Sequence, residues 1–215
     1  MSDLTAGQAF RRGLFLKRPF DIFLSGTGIL LSSPLWLVIA ALIKLEDGGP
    51  VFYRQERAGR RGRPFDVLKF RSMITDAEKA GVAVQAVAAD PRVTRIGRIL
   101  RSTAMDELPQ LLNIFKGDMS FVGPRALRPH EKEVQGDSDA RDIRDIPGYE
   151  ERIRVRPGLT GLTQVFLPGE TPRRRKFRVD RLYIKRRSFW LDLRLIALSF
   201  WITFRGRWES RQSKL

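Results

Sequence analysis

A long uncharged apolar segment constrains this chain more than any other feature of its sequence. Residues 22–45 read IFLSGTGILLSSPLWLVIAALIKL, and the first charge in that run is Lys44. At about 1.5 Å per helical residue, such a segment is long enough to cross a hydrocarbon layer roughly 30 Å thick. No cleavage site of small residues followed by a mature domain is evident, so the segment is predicted to be a retained membrane anchor.

Two features of this anchor favour a re-entrant path, in which the chain enters and leaves the membrane on one face. Ser33-Pro34 lies in its middle, where proline removes a hydrogen bond and clashes with the preceding helical turn. Basic residues flank both ends, at 11–18 and 54–63, and the positive-inside tendency places such flanks in the cytoplasm. The alternative is a helix that spans the bilayer with a kink at Pro34.

The sequence after the anchor predicts a mixed α/β (α+β) domain. Residues 51–53 and 65–70 are predicted as two short strands around a glycine-marked turn at 59–62. Residues 90–113 carry strong helical signals, including arginines at every third position.

The second half of the chain is less regular. Residues 131–146 are charged and poor in apolar side chains, which predicts a surface helix or loop. The apolar stretch at 189–204 has sixteen residues and is interrupted by Asp192 and Arg194. It is therefore predicted as an interfacial amphipathic helix or a core helix rather than a second span.

The composition excludes several kinds of site. The chain has no cysteine, which rules out disulfides, thiolate nucleophiles and cysteine-bound zinc, and its single histidine cannot form a multi-histidine metal site. The 40 Lys and Arg residues exceed the 24 Asp and Glu residues, giving a net charge of +16. That charge predicts a polyanionic partner, and nucleic acid, anionic lipid and phosphorylated substrates all qualify.

The adjacent acids Asp106 and Glu107 are the first candidates for reactive groups. Thr103 and Asp106 match a helix-capping pattern, and the exposed N–H groups of a helix start favour ionised carboxylates. Taken alone, the pair is most simply a cap and a first-turn acid. A carboxylate that attacks a phosphate needs its charge repulsion neutralised, and Lys and Arg are usual means. Suitable cations on separate segments are Lys69, Arg71, Arg101 and Arg125.

Six segments, from Lys17 to Phe204, resemble the bacterial sugar transferases. These are monotopic phosphoglycosyl transferases, which load a sugar phosphate onto a polyprenyl phosphate carrier. The most specific likeness is DELPQLLN followed by KGDMSFVGPR. The segments in order are KRPFD, SSP, RQERAGRRGRPFDVLKFRSM, RSTAMDELPQLLNIFKGDMSFVGPR, RVRPGLTGLTQV and KFRVDRLYIKRRSFWLDL.

The resemblance implies a two-step reaction with a covalent intermediate. Asp106 matches the nucleophile that attacks the sugar-bearing phosphorus of a UDP-sugar and releases UMP. The polyprenyl phosphate then attacks the phosphosugar-aspartyl enzyme. Glu107 matches the Mg²⁺-binding glutamate. Further matches to active-site groups are Lys69, Arg101, Arg125 as a phosphate ligand, and Asp180.

The resemblance also implies where the parts of the chain lie. Residues 1–18 form a basic segment, 19–47 a re-entrant membrane helix broken at Ser33-Pro34, and 48–215 a cytoplasmic catalytic domain with a C-terminal interfacial helix. The expected location is the bacterial inner membrane, with the catalytic domain facing the cytoplasm and anionic lipid of the inner leaflet around it. The substrates would be a UDP-sugar and polyprenyl (undecaprenyl) phosphate, in the first membrane step of glycan assembly. The oligomeric state is undefined by the sequence, and a homodimer is compatible with it.

Four positions depart from the family pattern. Ala104 stands where a serine is common shortly before the acid pair, which weakens the cap there, and Ala126 stands where the family often has proline. Leu162 and Thr163 replace an aromatic and a small residue. If the aromatic contacts the uracil or the sugar, the preference for nucleotide or sugar could differ in this chain. The identity of the sugar and of the glycan pathway stays open.

Two other classes of function compete with the enzyme. A nucleic-acid-binding protein fits the basic charge, but such a protein has no use for the apolar segment, and no nucleic-acid motif is present. A non-catalytic basic scaffold on the membrane surface shares both the anchor and the charge, with Asp106 and Glu107 as helix caps. Loss of activity in Asp106→Asn would distinguish the enzyme from this scaffold.

Overall fold

The computed structural model describes residues 14–75, 90–129, 132–135, 139–169 and 171–205. Most of the predicted basic segment 1–18 and the histidine at position 130 therefore lie outside the described residues. The helices are α1 (Lys17–Asp47), α2 (Arg95–Ser102), α3 (Gln110–Lys116), α4 (Tyr149–Ile153), α5 (Leu162–Phe166), α6 (Arg173–Arg186) and α7 (Phe189–Phe204). The strands are β1 (Phe52–Ala58), β2 (Pro64–Phe70), β3 (Ser120–Val122), β4 (Lys132–Gln135), β5 (Asp139–Asp142) and β6 (Gly158–Thr160).

Helix α1 continues through Pro34 without a break. A proline at this position cannot donate to the carbonyl of Leu30, which lies four residues earlier. The Ser33 hydroxyl donates to that same Leu30 carbonyl at 2.8 Å and so replaces the missing bond. The prediction that the helix breaks at Ser33-Pro34 is therefore wrong, because the serine satisfies the group that the proline leaves open. By length and composition, α1 is the one helix of the described residues that could cross a membrane.

The two ends of α1 contact the same domain. At its start, the Lys17 ammonium donates to the Val122 carbonyl at 2.9 Å and pairs with Asp192 on α7. At its end, a Glu46 carboxylate oxygen accepts from the backbone N–H of Arg95 at 2.7 Å, at the start of α2. The middle of the helix carries exposed apolar side chains, including Leu30, Leu31, Leu37 and Val38.

The predicted strand pair is confirmed. β1 and β2 form an antiparallel hairpin in which Phe52 faces Phe70 and Ala58 faces Pro64. The connecting turn places Arg61 at φ 60° and Gly62 at φ 72°. At Gly62 this positive φ is adopted without strain, because glycine has no Cβ atom. β1 extends further than predicted because each of its residues pairs with one on β2.

The remaining strands form two small sheets. β3 pairs with β6 in parallel, and β4 pairs with β5 antiparallel. The prediction of a surface helix or loop at 131–146 is wrong, because this segment folds into the β4–β5 hairpin followed by a helical turn, Ile143–Asp145. The strand residues are charged or polar apart from Val134 and Ala140, so they lack the alternating apolar pattern that identifies a half-buried strand. The mixed α and β content confirms the predicted fold class at this level.

The main core joins α3, β3 and α7. Ile114, Val122, Leu195 and Ile202 are at most 1% exposed and pack in one cluster. The opposite face of α7 is exposed and rich in aromatic residues, namely Trp190, Phe200, Trp201 and Phe204. α7 is therefore a core helix on one face and leaves an apolar surface on the other.

Candidate active site

The two predicted acids lie in a short turn between α2 and α3. α2 begins at the cap residue Thr94, whose hydroxyl accepts from Gly97 N–H at 2.9 Å, and Asp106 and Glu107 follow in a 3₁₀ turn. The predicted cap at Thr103 is wrong. The Thr103 hydroxyl instead donates back to the Ile99 carbonyl at 2.7 Å, because this residue ends α2 rather than starting a helix.

The backbone just before the acids is strained. Ala104 has φ 55° and ψ 17°, in the left-handed region that residues with a Cβ atom rarely adopt. This conformation turns the chain sharply between α2 and the acid pair. It costs roughly 1–2 kcal/mol for a residue other than glycine, and strain of this kind often accompanies functional sites.

Lys69 on β2 joins the acid pair. Its ammonium lies 2.6 Å from Glu107 Oε1 and 3.5 Å from Asp106 Oδ2. Both acids are nearly buried, with 8% of Asp106 and 9% of Glu107 exposed. Two carboxylates and one ammonium thus share a site with little access to water, where charge interactions are stronger than at the surface.

The neighbouring cations determine the charge state of Glu107. Burial alone would raise the pKa of its carboxyl group. The positive charges of Lys69 and Arg125 lower the pKa, and hydrogen bonds with Lys69 and Gln110 lower it further. The pKa of Glu107 therefore lies below its ordinary value. Glu107 is therefore held ionised at neutral pH.

A cleft of about 310 Å³ opens beside these residues. Of the predicted site residues, Lys69, Glu107 and Arg125 line it, whereas Asp106 borders it through its contact with Lys69. Its lining residues are Arg57, Val67, Lys69, Glu107, Gln110, Met119, Arg125, Ala126, Gly158 and Leu159.

Arg125 is positioned by the close packing of two glycine-containing turns. It forms a bridge with Gly158, whose N–H donates to the Pro124 carbonyl at 2.9 Å. A Cβ atom on Gly158 would lie 2.0 Å from the Gly123 nitrogen, so only glycine allows this approach. The glycines of the GPR and RPG motifs are therefore packing residues that fix the backbone on which Arg125 sits.

The other two predicted residues occupy different surroundings. Arg101 is half-buried in the last turn of α2, five residues before Asp106. Asp180 on α6 is 2% exposed and is paired with Arg152 at 2.7 Å rather than lining the cleft. Burial raises the pKa of the Asp180 carboxyl, against the opposing effects of Arg152 and of a hydrogen bond from Thr163.

The departures from the family pattern lie in different surroundings. Ala126 lines the cleft, and the Thr163 hydroxyl lies 3.0 Å from an oxygen of Asp180. Leu162 instead packs against the main core. Ser33 and Pro34 lie in the middle of α1 and do not line the cleft.

Three functional candidates were missed from the sequence. Arg57 and Gln110 line the cleft, and Arg152 binds the buried Asp180. Arg57 belongs to a run of basic residues at 54–63, and the sequence of that run does not indicate which side chain faces the cleft. The register of the hairpin is the signal for Arg57, because it lies opposite Phe65 and therefore on the same face as Lys69.

The end of α1 contacts both segments that form the site, the one that leads to the acid pair and the one that carries Lys69. Glu46 binds the start of α2, the helix that leads to the acid pair. The next residue, Asp47, is paired with Arg71, which lies two residues after Lys69. Ile39 and Ile43 of α1 also pack in a cluster that includes Met105, beside Asp106.

Comparison with known proteins gives consistent matches along the chain. The family model described as bacterial sugar transferase matches residues 12–206. The chain is 44% identical over 191 residues to the UDP-glucose:undecaprenyl-phosphate glucose-1-phosphate transferase of Klebsiella pneumoniae, covering 86% of this chain and 39% of that protein. It is 43% identical over 185 residues to the UDP-N-acetylgalactosamine-undecaprenyl-phosphate N-acetylgalactosaminephosphotransferase of Aeromonas hydrophila, covering 85% and 42%.

A third relative is close in length to this chain. The exopolysaccharide production protein PSS of Rhizobium leguminosarum bv. phaseoli is 45% identical over 189 residues, which cover 85% of this chain and 92% of that protein. The chain therefore spans less than half of the first two relatives and nearly all of the third.

Proposed function

The chain belongs to the bacterial sugar transferase family, and on that premise we propose that it transfers a sugar 1-phosphate from a UDP-sugar to polyprenyl phosphate. The observation that carries the proposal is the buried pair Asp106 and Glu107 joined by Lys69 at the edge of the cleft. This arrangement supplies an anionic nucleophile together with the cation that an anionic substrate needs.

In the first step, an Asp106 carboxylate oxygen attacks the phosphorus that bears the sugar. The bond from that phosphorus to the oxygen bridging to UMP breaks, and UMP leaves with that oxygen and its electron pair. The product is a phosphosugar linked to Asp106 through an acyl phosphate. Lys69, 3.5 Å from Asp106, and Arg125 in the cleft wall offset the repulsion between carboxylate and diphosphate.

In the second step, a phosphate oxygen of the polyprenyl phosphate attacks the same phosphorus. The bond to Asp106 breaks, which restores the carboxylate and gives a polyprenyl-diphosphate-sugar. No proton needs to be taken from either nucleophile, because both are already anions. This accounts for a site built from carboxylates and cations, in a chain that has no cysteine and one histidine.

We propose Glu107 as the Mg²⁺ ligand. Mg²⁺ keeps several waters and binds one or two carboxylates together with substrate phosphates, so a single glutamate at a diphosphate cleft fits its preference. The described residues contain no group of three or more acidic or histidine side chains that would form a cage of protein ligands. When bound, Mg²⁺ would neutralise diphosphate charge. If Mg²⁺ dependence of UMP release is unchanged in Glu107→Ala, this role is wrong.

We propose that both ends of α1 lie on the cytoplasmic face of the inner membrane. A bilayer-spanning helix would separate its two ends, yet Lys17 and Glu46 bind the same small domain. The exposed apolar side chains between them are left for lipid. The exposed aromatic face of α7 carries Trp190 and Trp201, residues that favour the membrane interface, and we propose that it rests there.

The test is UMP release in detergent with Mg²⁺, polyprenyl phosphate and a panel of UDP-sugars. Because the named relatives act on glucose and N-acetylgalactosamine donors, both sugars belong in the panel. We expect UMP from at least one donor, and its loss in Asp106→Asn. Asp118→Asn is the matched control, since Asp118 lies after α3 and outside the lining of the cleft. Turnover retained in Asp106→Asn would remove Asp106 as the nucleophile, and no UMP from any donor would favour the membrane-surface scaffold.

A further inference from the structure

Arg152 on α4 connects the buried Asp180 to the cleft. It is 7% exposed, and its Nε donates to Asp180 Oδ2 at 2.7 Å. Its Nη2 donates to the backbone carbonyl of Arg125 at 2.9 Å. The guanidinium also lies 4.2 Å from the ring centroid of Phe177, so its plane is fixed on a third side.

Asp180 is occupied by internal contacts on both of its oxygens. Oδ2 accepts from Arg152, and Oδ1 lies 3.0 Å from the Thr163 hydroxyl. With 2% of the residue exposed, its carboxylate orients Arg152 rather than facing the cleft. Thr163, which departs from the family pattern, supplies a hydroxyl to this arrangement.

Resting on the proposed function, we propose that Arg152 is a positioning residue that holds Arg125 where it binds the diphosphate of the nucleotide sugar. Arg152 reaches the Arg125 carbonyl and Asp180 with two different nitrogens of one rigid fork. Arg125 and Glu107 both line the cleft, so the two face the same space. Fixing the Arg125 backbone limits the positions that its guanidinium can sample. Binding of the nucleotide sugar then loses less conformational entropy.

The fork geometry predicts that lysine cannot replace Arg152. A lysine ammonium is a point charge and would have to choose between Asp180 and the Arg125 carbonyl. We expect Arg152→Lys to weaken the binding of UDP, measured by calorimetry, about tenfold, the size of one charge-assisted hydrogen bond. Arg181→Lys is the matched control, because Arg181 pairs with Glu151 across the same two helices in a more exposed position. Its UDP affinity should equal that of the wild type.

A double-mutant cycle separates positioning from a general structural role. If Arg152 acts through Arg125, then Arg152→Lys should weaken UDP binding in the wild-type background and add nothing in the Arg125→Ala background. A purely structural residue would add the same loss in both backgrounds. Additive losses, in a wild type that binds UDP and releases UMP, overturn the positioning role and leave the proposed function intact.

A second variant tests the same role in a protein that is expected to stay folded. Removing one partner of a buried ion pair leaves a lone charge, whereas replacing both partners with apolar residues is often neutral or stabilising. The double variant Arg152→Met/Asp180→Leu should therefore keep its thermal stability and still lose about tenfold in UDP affinity. Wild-type UDP affinity in this folded variant overturns the positioning role. A wild type that neither binds UDP nor releases UMP overturns the proposed function and this inference with it.

Discussion

Replacing Lys69 by methionine removes the cation that two nearly buried carboxylates share. The ammonium lies 2.6 Å from Glu107 and 3.5 Å from Asp106, and the side chains of both acids are 11% exposed. Breaking a buried pair by deleting one partner typically costs 3–5 kcal/mol, because the remaining charge is left without compensation. Since a quarter of the Lys69 side chain is exposed, we take the lower end. The free energy of unfolding should fall by about 3 kcal/mol at pH 7.

The size of that loss should depend on pH, with a sign set by Glu107. In the wild type its pKa lies below the ordinary 4.5, so the stabilisation is complete above that value and is lost as the pH falls through the lowered pKa. In Lys69→Met the burial effect remains while the largest opposing charge is gone, so the pKa rises. As the pH falls, Glu107 is therefore protonated in the variant before it is protonated in the wild type, and protonation removes the uncompensated buried charge. The difference in stability should therefore shrink as the pH falls from the raised pKa of the variant towards the lowered pKa of the wild type.

Denaturant unfolding followed by tryptophan fluorescence in detergent, at steps from pH 7 to pH 4, measures this difference. Lys185→Met is the control, because Lys185 is exposed on α6 and away from the cleft. It should change stability by no more than about 0.5 kcal/mol at any pH. A loss in Lys69→Met that is equally large at every pH, or no larger than in the control, would refute the ion-pair reasoning.

Three further predictions test the membrane path and the backbone around the site. Because the chain has no cysteine, single cysteines at Leu16 and Leu45, both exposed, report on the two ends of α1, and neither should react with an impermeant maleimide added outside the inner membrane. Labelling at position 16 alone would show a spanning helix. Ala104→Gly removes the left-handed strain of about 1 kcal/mol at the price of a more flexible unfolded chain, so its melting temperature should stay equal or rise slightly, whereas a clear fall would mean that the φ of 55° is not strained. Gly97→Ala would place a Cβ atom 2.0 Å from a backbone carbonyl oxygen and should lose about 2 kcal/mol or more in unfolding studies. Gly169→Ala, which meets nothing within 4 Å, is its control, and equal effects in the two variants would contradict the packing argument.

Short-range sequence patterns predicted the helices and strands that can be recognised from a short stretch of chain. The apolar run became α1, and the alternating segments around the turn at 59–62 became the β1–β2 hairpin. The β4–β5 hairpin was missed because its strands pair only with each other and carry no apolar stripe. Thr103 was mistaken for a helix start because a threonine followed by an acid three residues later has the same spacing where a helix ends.

The candidate site was predicted as a set of residue types, but not as an arrangement. The sequence and its resemblance to a family identified Asp106, Glu107, Lys69 and Arg125, which the structure brings together around one cleft. Asp180 came from the same resemblance and lies instead in a buried ion pair. A motif match gives the position of a residue along the chain and carries no information on which way a helix turns its side chain.

The sequence by itself determined the long apolar helix, the mixed fold and the groups available for reaction, because hydropathy, residue period and functional groups depend on short stretches of chain. Tertiary structure alone decided which of those groups meet. Lys69 and Glu107 are 38 residues apart, and Arg152 reaches the Arg125 carbonyl across 27. The same holds for α1, whose ends 29 residues apart both bind one domain. Contacts of this kind depend on how helices and strands pack through the core, and packing is a property of the whole chain at once.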